Sequence, residues 1–213
     1  MENKVISKVF LWMFIGLFVT FLTGYVISTN EKMLISVFST SSYIIFSIIE
    51  IVLVIILSAR IKKLKPTTCR IFFLLYSFIS GLTFSSIFIA YSVKSIIYVF
   101  LVSAIIFGLF SLIGYTTKIN LNKVGIYLMM ALFGIIICSI INAFVGSQSF
   151  DLFLSIVIIL IFMGITAYDI QKIKNIYTST IPKDNLAIYG ALQLYLDYIN
   201  IFLNLLRLFT NDR

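Results

Sequence analysis

LQLYLDYINIFLNLLRLF, residues Leu192 to Phe209, is apolar enough to lie in a bilayer, yet Asp197 stands near its middle. An ionised carboxylate in hydrocarbon costs about 2.5–3.5 kcal/mol even on the lenient insertion scale, so such a residue needs a reason. The polar residues of the stretch are Gln193, Asp197, Asn200, Asn204 and Arg207, spaced four, three, four and three. At about 100° per residue they fall within an arc of about 80°, a single stripe on one helical face. A surface-lying amphipathic helix would show that stripe to water, but such helices carry lysine- and arginine-rich polar faces. This stripe is amide and carboxylate. It better fits a helix that crosses the membrane within a bundle and turns its polar face inward.

The rest of the chain agrees. Its 213 residues are 61% hydrophobic and only 11% charged, with a mean hydropathy of +1.12. Soluble domains run nearer a quarter charged, so the composition is that of an integral membrane protein. A span needs roughly 20 apolar residues. Spans are expected at Val9–Ser28, Ser41–Ser58, Ile71–Tyr91, Ser95–Gly114, Val124–Val145, Leu152–Tyr168 and Leu186–Phe209. The last is the most polar, and the one a hydropathy scan would discard first. No polar block is large enough to fold alone, so residues 1–213 are read as one all-α polytopic domain.

The net charge is +8, and there is no histidine. A nucleic-acid partner would need a basic face on a soluble module, and none exists. With the N-terminus inside and the C-terminus outside, twelve of the sixteen lysines and arginines fall on the cytoplasmic side, led by the loop RIKKLKPTTCR. Small residues recur at every fourth position in two spans, Ser77/Gly81/Ser85 and Gly134/Cys138/Asn142, a spacing that means close helix packing. Proton-linked chemistry here must use carboxylates.

Three acids lie in or at the edge of spans: Glu50, Asp169 and Asp197. Glu50 stands about 15 Å from Arg60 along the second span, at a depth comparable with Asp197. Asp169 is shallow if its helix stops at Tyr168, but Ile170, Ile173, Ile176 and Tyr177 continue the apolar period. A helix reaching about Tyr177, with Lys172 and Lys174 extending to the headgroups, would let Asp169 meet Asp197.

AYDIQKI (167–173) followed by LYLDYINIFLNLLRLF (194–209) resembles the C-terminal signature of the Bax inhibitor-1 family. The similarity takes in the helix-two glutamate, the basic second loop, SGLTFSSIF (80–88) and GYTTKINLNKVG (114–125), and is good for the small bacterial members. The resemblance implies seven transmembrane helices with the C-terminal helix at the centre of the other six. It also implies a pH-sensitive calcium leak, with the family's aspartate pair on Asp169 and Asp197, its latch arginine on Arg60 and its helix-two acid on Glu50.

Two carboxylates within hydrogen-bonding distance cannot both ionise cheaply, so they share a proton. They are hard oxygen ligands and suit Ca²⁺, though its six to eight oxygens require carbonyls and water as well. Gln193, Asn200, Asn204 and Asn142 are candidates to line a pore; for Asn142 an interhelical hydrogen bond is the plainer reading. No catalytic reaction is expected. An intramembrane aspartyl protease is disfavoured because LYLD lacks the Gly-x-Gly-Asp motif, and a retinal protein because the last span has no Schiff-base lysine. A proton-coupled transporter using the same acids, or a non-conducting stress or cell-death scaffold, remains open. The setting expected is a bacterial plasma membrane, with lipid, calcium ions and protons as partners and a monomer as the simplest assembly.

Overall fold

The computed structural model describes residues 2–38, 40–176 and 182–210; Tyr177 and Arg213 lie outside them. The elements among the described residues are all helices: α1 Glu2–Ser28, α2 Glu31–Phe38, α3 Thr40–Arg60, α4 Pro66–Ala90, α5 Val93–Thr116, α6 Asn122–Val145, α7 Gln148–Ile176 and α8 Lys183–Thr210. Six of these, α1 and α4 to α8, are long and apolar enough to cross a membrane. The last helix is among them, although it is the least apolar of the six. Glu50 lies on α3, a further 21-residue helix.

Local chemistry explains where the helices differ from a reading of hydropathy alone. The additional short helix α2 is started by Asn30, whose side-chain oxygen accepts from Met33 N at 3.2 Å, with Glu31 in the first turn. Both features satisfy the positive N-terminal end of a helix. Helix α4 begins at Pro66, five residues before the expected Ile71, because proline at the first helical position loses no intrahelical bond. Helix α6 stops at Gly146, whose φ of 71° is the left-handed conformation that glycine adopts without strain. Helix α7 runs past Tyr168 to Ile176, as the isoleucine period anticipates.

Two compact units emerge. The first contains α1–α4 and the chain from Ile176 to Tyr195, hence the first half of α8; the second contains α5–α7 and the half of α8 from Leu196 onward. In the first unit α1 and α4 meet over small residues. A Cβ on Gly81 would lie 2.8 Å from Thr20 O and 3.0 Å from Thr23 Cγ2, and one on Gly16 would meet the Phe73 ring. Ser77 and Ser85 are fully buried beside Gly81, so this stripe packs as its spacing predicts. The other stripe is buried only at its Asn142 end. Gly134 has nothing within 4 Å of its Cβ position, and only Gly125 and Asn142 of α6 are buried. Helix α6 is the outward-facing helix of its unit, with 6% of its apolar window buried, against 67% for α8.

Candidate functional site

Asp169 and Asp197 both belong to the second unit. The segment carrying Asp169 is tightly fixed. Gly114 of α5 admits the Ala167 backbone, since a Cβ there would lie 2.7 Å from Ala167 Cα. Gly125 of α6 lies against the Tyr168 ring. One turn on, Gln171 clamps the α5–α6 connection from both ends: Nε2 donates to Ile119 O and Oε1 accepts from Leu121 N, each at 2.8 Å. Lys174 Nζ donates to Tyr115 O at 3.1 Å. The α8 half that carries Asp197 is held on α5 by Tyr198, whose hydroxyl donates to Phe100 O at 2.8 Å. Its ring packs edge-on against Phe100 and Phe107.

Between these supports the two carboxyls are withdrawn from solvent, Asp169 2% and Asp197 3% exposed. Asp197 lies within electrostatic reach of both Asp169 and Lys172. No hydrogen bond joins the two carboxyls among the described residues, and Asp169 Oδ1 and Asp197 Oδ2 are each buried without a partner. Buried polar atoms normally have one; Arg70 Nε, Ser111 Oγ and Asn185 Oδ1 also lack one, but the two aspartates are the only acids among these exceptions, and a binding or proton-handling role would explain them. As calcium ligands they fit in chemistry but not in number. No group of three or more acid, cysteine or histidine side chains converges among the described residues, so most of an ion's oxygens would come from carbonyls and water.

The other candidates are placed as follows. Asn200 and Asn204 donate back to the carbonyls of Leu196 and Asn200, both at 2.8 Å, which leaves their side-chain oxygens as the groups on offer. Asn200 lines an open cleft of about 540 Å³ with Leu132, Ile136, Ser139, Ile140 and Phe162. Asn142 exchanges two hydrogen bonds with Ser147, at 3.2 and 3.3 Å, and so closes the α6–α7 turn. Gln193 is half-buried in the first unit. Glu50, also in that unit, accepts from Thr83 Oγ1 at 3.2 Å and from Ser80. Arg60 is exposed at the end of α3 and has no ion pair among the described residues.

Three constellations escape a reading by hydropathy. Asp184 in the first turn of α8 pairs with Lys8 and with Arg70, each at 2.9 Å, so the arginine that meets a carboxylate in the first unit is Arg70. Next to it the fully buried Asn185 donates to Ile61 O at 2.7 Å and Leu64 O at 2.8 Å. Deeper in that unit, Thr20 Oγ1 and the fully buried Tyr195 hydroxyl lie 2.7 Å apart. Thr20 also donates to Ser77 O, and Ser80 joins Tyr195 and Tyr76 to Glu50. The signal for the first two was the acid–amide pair just after Pro182; the third has no local signal at all.

Long apolar helices with buried acids define a multi-pass integral membrane protein. The family model described as inhibitor of apoptosis-promoting Bax1 matches residues 2–213, and the chain belongs to that family. It is similar to the inner membrane protein YbhL of Escherichia coli, 41% identical over 213 residues, covering 97% of this chain and 91% of the relative. An uncharacterized protein of Borreliella burgdorferi is also 41% identical, with the same coverage. An uncharacterized membrane protein of Streptococcus pyogenes is 37% identical, covering 97% of this chain and 90% of its own.

Proposed function

We propose that the protein is a pH-sensitive calcium leak of the bacterial plasma membrane in which Asp169 and Asp197 form a proton-sharing pair. The observation that carries this reading is two carboxyls within electrostatic reach of each other, each almost fully buried and each with an oxygen that no group among the described residues satisfies. Two like charges so withdrawn from water are strongly disfavoured unless a proton or a cation lies between them. Sharing a proton closes the pair; losing it presents hard oxygens to a passing cation, with the side-chain oxygens of Asn200 and Asn204 further along the same helix. As the resemblance implies, Arg60 serves as the latch residue and Glu50 is a third acid of the path. The same reading has α3 as a seventh span and α8 within the other six, which the heavy burial of α8 supports. The N-terminus is cytoplasmic, the C-terminus outside, and the working unit a monomer without a catalytic step.

Calcium entry into proteoliposomes, measured from pH 5.5 to 8 for the wild type, Asp169→Asn and Asp197→Asn, tests the reading. The wild-type flux should rise with pH and the variants should lose that dependence. Uphill coupled movement of a second solute would instead make it a proton-coupled transporter, and no flux at all, a scaffold.

A further inference from the structure

The connection from α3 to α4 holds Arg60, Lys62, Lys63 and Lys65 within six residues, and all four are exposed. None of these side chains has an ion-pair or hydrogen-bond partner among the described residues. No acid occurs between Glu50 and Asp151, and Asp184, the acid of the neighbouring cluster, is already engaged by Lys8 and Arg70. The four cations are therefore a local surplus.

The turn that presents them is firmly built. Arg60 O accepts from Lys63 N at 2.9 Å and from Leu64 N at 3.1 Å. Ile61 points inward and is 4% exposed. Asn185, fully buried, holds the carbonyls of Ile61 and Leu64, so two of the turn's acceptors are kept away from any approaching anion. Helix α4 starts directly behind at Pro66, and its N-cap Lys65 makes no side-chain capping bond. The positive end of that helix adds to the four side-chain charges. A preference for positive charge on one side of a membrane accounts for the lysines, but not for a turn pinned in place by a buried amide.

The surroundings select the kind of anion. Exposed Ile55 lies about one and a half turns before the cations on α3, and exposed Ile71 about as far after them on α4. Cations at the ends of two apolar helix faces match an amphiphile, headgroup on the turn and chains along the helices. We propose that the α3–α4 turn binds the phosphate headgroups of anionic phospholipids, with Lys62, Lys63 and Lys65 as the main contacts. Juxtamembrane cations strengthen such binding by up to about fivefold each.

The chain has one tryptophan, Trp12. It stacks 5.9 Å from Arg70 Cζ, one turn into α4, and so reports on lipid beside this turn. Proteoliposomes containing brominated phosphatidylglycerol or brominated phosphatidylcholine at equal mole fraction should quench Trp12 unequally, the anionic lipid severalfold more effective. Lys62→Gln/Lys63→Gln/Lys65→Gln should abolish the preference, and the triple arginine replacement should retain it. Equal quenching by the two lipids in the wild type, or a preference that survives the glutamine variant, overturns the proposal. Inorganic phosphate at constant ionic strength should leave the preference intact; if phosphate removes it, the site takes free phosphate and the lipid assignment is wrong.

Discussion

Gly114→Ala should loosen the helix that carries Asp169, and Gly108→Ala on the same helix supplies its own control. A methyl group on Gly114 would lie 2.7 Å from Ala167 Cα and 2.8 Å from Ala167 C, and closer still to Ala167 O. Ordinary contacts begin near 3.4 Å, so α5 and α7 must separate by at least about 0.7 Å. Overpacking of this kind costs about 1–3 kcal/mol, and here the obstacle is backbone, which cannot rotate away. Gly108 has nothing within 4 Å, so its alanine gains only helix propensity, up to about 1 kcal/mol. That gain is common to both variants, so they should differ by the overpacking cost alone, about 1–3 kcal/mol, which for a chain of this size is roughly 2–12 °C in melting temperature. Thermal unfolding in detergent, followed by Trp12 fluorescence, reads the difference. If Gly114→Ala melts with or above Gly108→Ala, the close approach of α5 to Ala167 is wrong, and with it the placement of Asp169 two residues on.

Three further outcomes follow from the first unit. Asn185→Leu leaves the Ile61 and Leu64 carbonyls without their donor, which should destabilise by about 2–4 kcal/mol; hydrogen exchange across residues 60–65 should rise well before global unfolding. Tyr195→Phe removes one buried hydroxyl while the single Thr20 proton still has a backbone acceptor in Gly16 O or Ser77 O, so a loss of about 1 kcal/mol is expected in the same melting assay. Asp184→Asn breaks two partly exposed ion pairs with an effect below about 1 kcal/mol that disappears in high salt; a large, salt-independent loss would mean the pairs are more than surface contacts.

How much of this was legible in the sequence depends on the range of the interaction. The polar stripe of α8 and the extension of α7 through Ile170, Ile173 and Ile176 are periodic and local, and both led to real features. Helix α2 and the early start of α4 turn on single residues, Asn30 and Pro66, that an average over twenty residues hides. Gly134 carries the same packing signal but meets nothing within 4 Å among the described residues, because spacing tells which face is smooth and not what lies against it. The bond between Thr20 and Tyr195 joins residues 175 apart, and nothing in either neighbourhood announces it. The candidate site divides in the same way. The buried aspartates were visible as costly residues in apolar runs, whereas the pairing of Arg70 with Asp184 depends on how α4 and the start of α8 come together.

The central claim is that Asp169 and Asp197 act as one proton-controlled gate. Calcium flux through the reconstituted full chain, compared across pH for the wild type and Asp197→Asn, tests it directly. The account predicts a flux that rises with pH in the wild type and is flat in the variant, whose neutral amide cannot lose the shared proton. An Asp197→Asn protein that conducts calcium with the wild-type pH profile would contradict it.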